Sequence, residues 1–316
     1  MRCVILDDYQ DVATSLADWS VLPDVTVEAV SEHLADEERL AQVLADAEIV
    51  VVMRERSPLT RSLLDRLPRL RLVVTSGMRN ASIDLATCRE RGIVVSGTAS
   101  SSTPPVELTW ALVLGLARQV VPEATAFRKG GPWQSTVGVD LAGSTLAVIG
   151  LGKIGTRVAA VARAFGMDVV AWSPHLTPER AAAAGVRLAP DLSAALGQAD
   201  FVSLHLVLSD STRGLLGPVE LATMRPTAYL VNTSRAGLVD TGALVAALEE
   251  GRIAGAGLDV HDEEPLPADH PLRTLPTVLG TPHLGYVTDG NYRTYFTEAV
   301  EDVAAWLAGA PVRLLT

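Results

Sequence analysis

The segment Leu146–Gly155 constrains this chain more than any other. An apolar run, Leu-Ala-Val-Ile, leads directly into Gly150-Leu-Gly152-Lys-Ile-Gly155. Three glycines at this spacing let a strand turn tightly into a helix. The first permits the turn, the second lets the backbone approach a ligand's phosphates, and the third lets helix and strand pack closely. The helix start then presents N–H groups and a positive dipole end to an anion. A lone glycine pattern is weak evidence. Here a strand precedes it, a helix follows, and a second strand, Val169–Trp172, comes at βαβ spacing. The pattern predicts a dinucleotide site, with Gly150, Gly152, Lys153, Ile154 and Gly155 in the phosphate turn. Ser173, Pro174 and His175 follow the second strand and line the adenosine side.

The rest of the chain fits the same architecture. Cys3–Leu6, Val25–Val30, Ile49–Met53, Leu72–Thr75 and Ile93–Ser96 read as strands separated by helical stretches such as Glu37–Ala47 and Leu63–Leu67. A second series reads Thr145–Ile149, Asp168–Trp172, Phe201–Leu204, Ala228–Asn232, Gly255–Asp259 and Val278–Thr281, ending in a helix over Asp289–Leu307. Strands alternating with helices imply parallel pairing through crossovers. The expected fold class is α/β with doubly wound parallel sheets. Between the two series, Thr103–Arg128 predicts one long helix, opened by prolines and apolar on most faces, hence buried.

Charge and composition exclude several functions. A net charge of −11 disfavours nucleic-acid or anionic-membrane binding, which needs basic patches. No run approaches the roughly 18 apolar residues of a membrane helix. The N-terminus lacks a signal-peptide pattern. The two cysteines, Cys3 and Cys88, form no pair or metal spacing, so the expectation is a reduced compartment, the cytoplasm, and no metal site.

Three segments after predicted strands carry chemistry: Val231–Asp240 with Arg235, Gly257–Leu266 with Glu264, and Thr281–Gly285 with His283. In open α/β sheets ligands bind beyond the carboxyl ends of strands, so the three can converge. Arg235 offers a planar fork for a carboxylate. His283 is a proton donor suited to neutral pH. Glu264 stabilises the imidazolium by opposite charge. Glu263 competes for that role by position alone. Together they suit reduction of a 2-oxo acid: a proton for the carbonyl oxygen, a cation for the carboxylate, and hydride at C2.

These motifs resemble the D-isomer-specific 2-hydroxyacid dehydrogenase family over nearly the whole chain, through Gly150–Gly155, Ser203-Leu-His205, Asn232–Asp240, Asp259–Leu266 and Thr281–Gly285. The resemblance implies Arg235, Glu264 and His283 as the catalytic set, Glu264 being chosen because it precedes Pro265. It implies two Rossmann-like domains. The cofactor domain, 100–287, is inserted into a discontinuous substrate domain, 1–99 plus 288–316. It implies NAD or NADP as cofactor, a small 2-oxo or 2-hydroxy acid as substrate, and a homodimer. His205 is then a structural or cofactor-edge residue, Thr233 a cofactor-edge residue, and Asp259 lies toward the nicotinamide.

The chain departs from the family pattern twice. No Asp or Glu ends the second strand, which reads Trp172-Ser173-Pro174-His175, so NAD and NADP both remain open, with Arg180 a few residues on. The substrate loop, usually Gly-x-Gly-x-Asp, reads Gly77-Met78-Arg79-Asn80-Ala81. Gly77 and Asp84 match, Arg79 stands for the second glycine and Ala81 for the Asp; Gly77 and Met78 are expected to line the carboxylate site. Arg79 either meets a second acidic group on the substrate, points to solvent or braces the loop. Arg54, after the third strand, is a further substrate candidate. Two other readings share the fold: a cofactor-sensing, corepressor-like interaction protein, and a formate- or phosphite-type dehydrogenase.

Overall fold

The computed structural model describes residues 1–315. The chain separates into two compact units, Met1–Ser101 with the described residues from Val287 onward, and Ser102–Tyr286. The first holds five parallel strands, β1 (Arg2–Ile5), β2 (Thr26–Ala29), β3 (Ile49–Val52), β4 (Leu72–Thr75) and β5 (Val94–Gly97), in the order β2-β1-β3-β4-β5. The second holds seven: β6 (Thr145–Ile149), β7 (Asp168–Trp172), β8 (Arg187–Leu188), β9 (Phe201–Leu204), β10 (Tyr229–Asn232), β11 (Gly255–Leu258) and β12 (Val278–Gly280). Their order is β12-β11-β10-β9-β6-β7-β8, again all parallel. Both orders are doubly wound, with the reversal between β1 and β3 in one and between β6 and β9 in the other.

The strands alternate because both faces of each sheet are covered. In β6, Ala147 and Ile149 join one apolar cluster and Leu146 and Val148 the other. In β9, Val202 and Leu204 face the first cluster and Phe201 the second. Period two is the strand's own geometry, and burial on both faces explains why these runs read as continuously apolar. In the first unit, Val4, Val50, Val52, Val73 and Val95 fill one cluster.

The predicted helix over Thr103–Arg128 is two helices, Thr103–Ala117 and Val120–Arg128, with Gln119 left-handed between them (φ 51°). Pro122 explains the break. It has no N–H to give the Arg118 carbonyl, and its ring would collide with that carbonyl in a continuous helix. The first helix buries Val106, Trp110, Leu112, Val113 and Leu116, as the expectation of burial required; the second buries nothing. The two-residue β8 was also not expected, being too short to carry a pattern.

The Asp289–Leu307 helix packs on β4 and β5. The segment after it returns along β5: Leu315 N–H donates to Val95 O, Gly97 N–H donates to Arg313 O, and Ser96 bridges Leu314 antiparallel. Arg313 is anchored on Asp302 (Nε–Oδ1 2.9 Å) and Glu301 (3.0 Å). Asp302 is fully buried and its Oδ2 has no hydrogen-bond partner. Burial pushes its carboxyl up to about 7, against the pull of Arg313 and with Glu298 and Glu301 adding to the rise. A carboxyl raised in the folded state binds a proton that the unfolded chain has released. Stability is therefore lost as pH rises from about 4 through 7, by a few kcal/mol at most. Asp302→Asn should remove that slope, seen as a melting temperature that gains on the native chain toward alkaline pH. Parallel pH profiles for the two proteins would contradict this.

Candidate active site

At the end of β6, Gly150 adopts φ 106°, and a Cβ there would stand 2.6 Å from the His205 carbonyl. A Cβ on Gly155 would strike the Gly150 carbonyl oxygen. Gly152, by contrast, has nothing within 4 Å of where its Cβ would be, and it caps the Lys153–Ala164 helix with no side-chain bond. The first N–H groups of a helix have no partner inside it. Open space, an uncapped twelve-residue helix and its dipole form a cradle that fits a dinucleotide's diphosphate. Lys153 and Ile154 are the first residues of that helix.

The surrounding candidates have separate tasks. The His205 N–H donates to the Ile149 carbonyl, and its ring Nε2 lies 2.8 Å from Ser203 Oγ. Burial takes its imidazole down to about 4, so it is neutral. It braces the glycine turn rather than carrying a proton. Thr109 donates to the Pro105 carbonyl, so Thr233 must donate to Thr109 (2.8 Å). Ser173, Pro174 and His175 follow β7; Arg180 reaches back to the His175 carbonyl (3.4 Å) and the Leu151 carbonyl (3.3 Å).

Adjacent strands β10, β11 and β12 deliver the three chemical residues. At the end of β10, Asn232 is buried and organises the turn: its amide donates to Arg235 O (2.9 Å) and its oxygen accepts from Ser234 N–H (3.1 Å). Ser234 Oγ donates to the Leu206 carbonyl (2.6 Å). Arg235 lies half-buried on this braced loop, its Nη1 donating to Ser234 O (2.7 Å).

Past β11 and β12, Glu264 Oε2 stands 2.6 Å from His283 Nδ1. Glu264 Oε1 accepts the His261 N–H (2.9 Å). Burial raises the Glu264 carboxyl, but the hydrogen bond and charge of His283 and the His261 N–H outweigh it and hold it below the ordinary carboxylate value. Glu264 is thus ionised and can only accept, which requires His283 Nδ1 to donate and turns Nε2 outward. Glu263 is exposed and has no such contact. His283 itself is left-handed (φ 55°), and the edge of its ring meets Tyr286, centroids 5.2 Å apart.

Asp259 is what holds this turn. Its carboxylate, 0% exposed, accepts from Thr281 Oγ1 (2.6 Å), Leu284 N–H (2.6 Å) and Gly285 N–H (2.8 Å). Two further positioning residues escaped the sequence reading. His261 had no motif to mark it, yet its Nε2 donates to the Thr281 carbonyl (3.1 Å) while its N–H holds Glu264. Asn232 could have been marked by the Asn-x-Ser-Arg spacing, which is that of an Asx turn.

In the other unit, Gly77 adopts φ 90° after β4, and its N–H donates to Thr98 Oγ1 (3.0 Å). Arg54 is left-handed (φ 54°), and its Nη1 donates to the Ser76 carbonyl (3.1 Å). Asn80 braces the loop on Arg54 O (2.5 Å) and Thr75 Oγ1 (2.9 Å). Met78 and Arg79 are exposed, and Arg79 makes no hydrogen bond or ion pair among the described residues. Bracing thus falls to Asn80 and Arg54, not to Arg79.

Residues 110–285 match the model of the NAD-binding domain of D-isomer specific 2-hydroxyacid dehydrogenases. A D-3-phosphoglycerate dehydrogenase of Methanocaldococcus jannaschii is 39% identical over 292 residues, which is 92% of this chain and 55% of that protein. The chain thus spans about half the length of that relative. A glyoxylate reductase of Aeropyrum pernix is 40% identical over 259 residues, 78% of this chain and 76% of that protein. The crystal structure of a phosphoglycerate oxidoreductase from Vibrio cholerae superposes with a TM-score of 0.93 at 37% identity, covering 98% of this chain and 100% of that one. With a family model matching more than half of its residues and relatives this similar in sequence, the chain belongs to the D-isomer specific 2-hydroxyacid dehydrogenase family.

Proposed function

We propose that this protein transfers a hydride between a nicotinamide dinucleotide and C2 of a small 2-oxo or 2-hydroxy acid, with His283 as acid and base. The observation that carries this reading is the 2.6 Å contact between His283 Nδ1 and the ionised Glu264. In the reductive direction, a reduced nicotinamide dinucleotide held at the glycine turn would supply the hydride for C2. His283 gives the Nε2 proton to the carbonyl oxygen, leaving a neutral imidazole and a hydroxyl group. Glu264 compensates the imidazolium before transfer and fixes the ring orientation throughout. Arg235 pairs with the substrate carboxylate and polarises the adjacent carbonyl. In the oxidative direction neutral His283 takes the hydroxyl proton as hydride leaves C2. NAD and NADP both suit the diphosphate cradle; they differ only at the adenosine ribose.

Arg54, Gly77, Met78 and Arg79 are the substrate contacts proposed for the other unit. The unpaired, exposed guanidinium of Arg79 supports a substrate with a second anionic group, because a charge-assisted hydrogen bond is worth about 1.5–3 kcal/mol. The exposed apolar surface around Phe127 and Trp133, 71% and 83% accessible, supports a homodimer through the dinucleotide unit. No helix among the described residues is long and apolar enough to cross a membrane; the cytoplasm is the proposed location.

Oxidation of NADH and NADPH against mono- and dicarboxylic 2-oxo acids tests the assignment. His283→Ala should lower kcat by about 10²–10⁴-fold; unchanged turnover would remove His283 from the chemistry. Arg79→Ala should raise KM for diacids by about tenfold or more and leave monoacids alone; equal effects on both would return Arg79 to an ordinary surface role. Because Glu264 is held below the ordinary carboxylate value, native activity should persist in mildly acidic buffer and fall only as that carboxylate is protonated. Glu264→Gln should cost about 10²-fold and lack this acid limb; an identical pH profile would contradict the pairing. Sedimentation at the mass of one chain would contradict the dimer.

A further inference from the structure

We infer that Arg180 selects NADP over NAD by taking the 2′-phosphate of the adenosine ribose, an inference that rests on the dinucleotide reading above. A nicotinamide dinucleotide without that phosphate needs an acceptor for its ribose hydroxyls, ordinarily an Asp or Glu at the end of the second strand. Here β7 ends in Trp172, and the residues beyond it, Ser173-Pro174-His175-Leu176-Thr177-Pro178, contain no carboxylate. Asp168 is at the opposite end of the strand. The next acid, Glu179, is occupied at the start of its own helix: its N–H and the Thr177 hydroxyl hold its carboxyl below the usual range.

Arg180 occupies the vacated role with the opposite sign. From the short Pro178–Ala183 helix its guanidinium returns to the mouth of the glycine turn, touching the His175 carbonyl (3.4 Å) and the Leu151 carbonyl (3.3 Å). The two contacts span the loop after β7 and the turn after β6, the two segments flanking a bound adenosine in a doubly wound sheet. Both acceptors are neutral, and Arg180 forms no ion pair among the described residues, so its charge is not compensated. The bonds are long and the side chain is exposed, which leaves the planar fork able to re-aim at a phosphate, its best-matched partner. A monoester phosphate also gains from the absence of any carboxylate that would repel it.

Binding without turnover tests this. Native protein and Arg180→Ala are titrated with NADPH and NADH by dihydronicotinamide fluorescence, and with 2′,5′-ADP and 5′-ADP as competitors that cannot react. The native protein should bind NADPH and 2′,5′-ADP at least about tenfold more tightly than NADH and 5′-ADP. Arg180→Ala should lose that margin, with NADH affinity unchanged and Arg180→Lys keeping part of it. The margin should also shrink as salt is raised. Equal affinities in the native protein, preference for NADH, or an Arg180→Ala loss shared equally by both dinucleotides would overturn the assignment while leaving the reductase reading intact. Failure of all four ligands to bind would overturn both.

Discussion

Asp259 has no access to solvent, and the turn that carries His283 closes around its carboxylate. Three donors, the Thr281 hydroxyl and the Leu284 and Gly285 N–H groups, satisfy it. The arrangement offsets two costs. Burial drives the Asp259 carboxyl upward, opposed by its hydrogen bonds and by the charge of His283. His283 sits in the left-handed region, which costs a non-glycine residue about 1–3 kcal/mol. Hydrogen bonds to a charged acceptor contribute about 1.5–3 kcal/mol each, enough for three of them to hold a strained residue in one orientation. Glu264 then needs only to meet an imidazole already aimed. His261 ties the two together, since its backbone holds Glu264 and its ring holds the Thr281 carbonyl.

Sheet topology explains why residues separated by 19 to 26 positions, Glu264 with His283 and Asp259 with Gly285, meet. β10, β11 and β12 are neighbours, about 4.8 Å apart, and each ends in a short loop on the same edge. The parallel crossovers force all of these ends to one side. The glycine turn after β6 lies on that edge too, two strands from β10 across β9. A glycine-lined helix start and a hydrogen-bonded Glu264–His283 pair on one sheet edge are therefore consequences of winding direction. What the residues add is specificity: glycine where backbones approach, asparagine and aspartate where turns must be rigid.

Much of this was legible in the sequence, for physical reasons that can be named. β6, β7 and β9 have their expected bounds because their buried stretches, Leu146–Ile149, Val169–Ala171 and Phe201-Val202, are apolar on both faces. The Asp289–Leu307 helix also matches, opened by Thr288 as its cap. Arg235, Glu264 and His283 could be marked because each follows a strand end within a recognisable motif. The break at Gln119 was available in Pro122 but was outweighed by the apolar pattern on both sides. Asp259 was expected toward the nicotinamide; its three partners lie 22 to 26 residues away, and no local pattern encodes such contacts. The same limit hid His261, and it hid the return of the C-terminal segment along β5.

Glu264 fixes the His283 proton on Nδ1 and turns Nε2 outward. Nitrogen-15 NMR of the histidine side chains, with His283 assigned by comparison with His283→Ala, reads the tautomer directly. Neutral His283 should carry its proton on Nδ1 in the native protein, and Glu264→Gln should yield a mixture of tautomers. A proton fixed on Nε2 in the native protein would contradict this, because the nitrogen facing Glu264 would then be bare and the pair could not form as described.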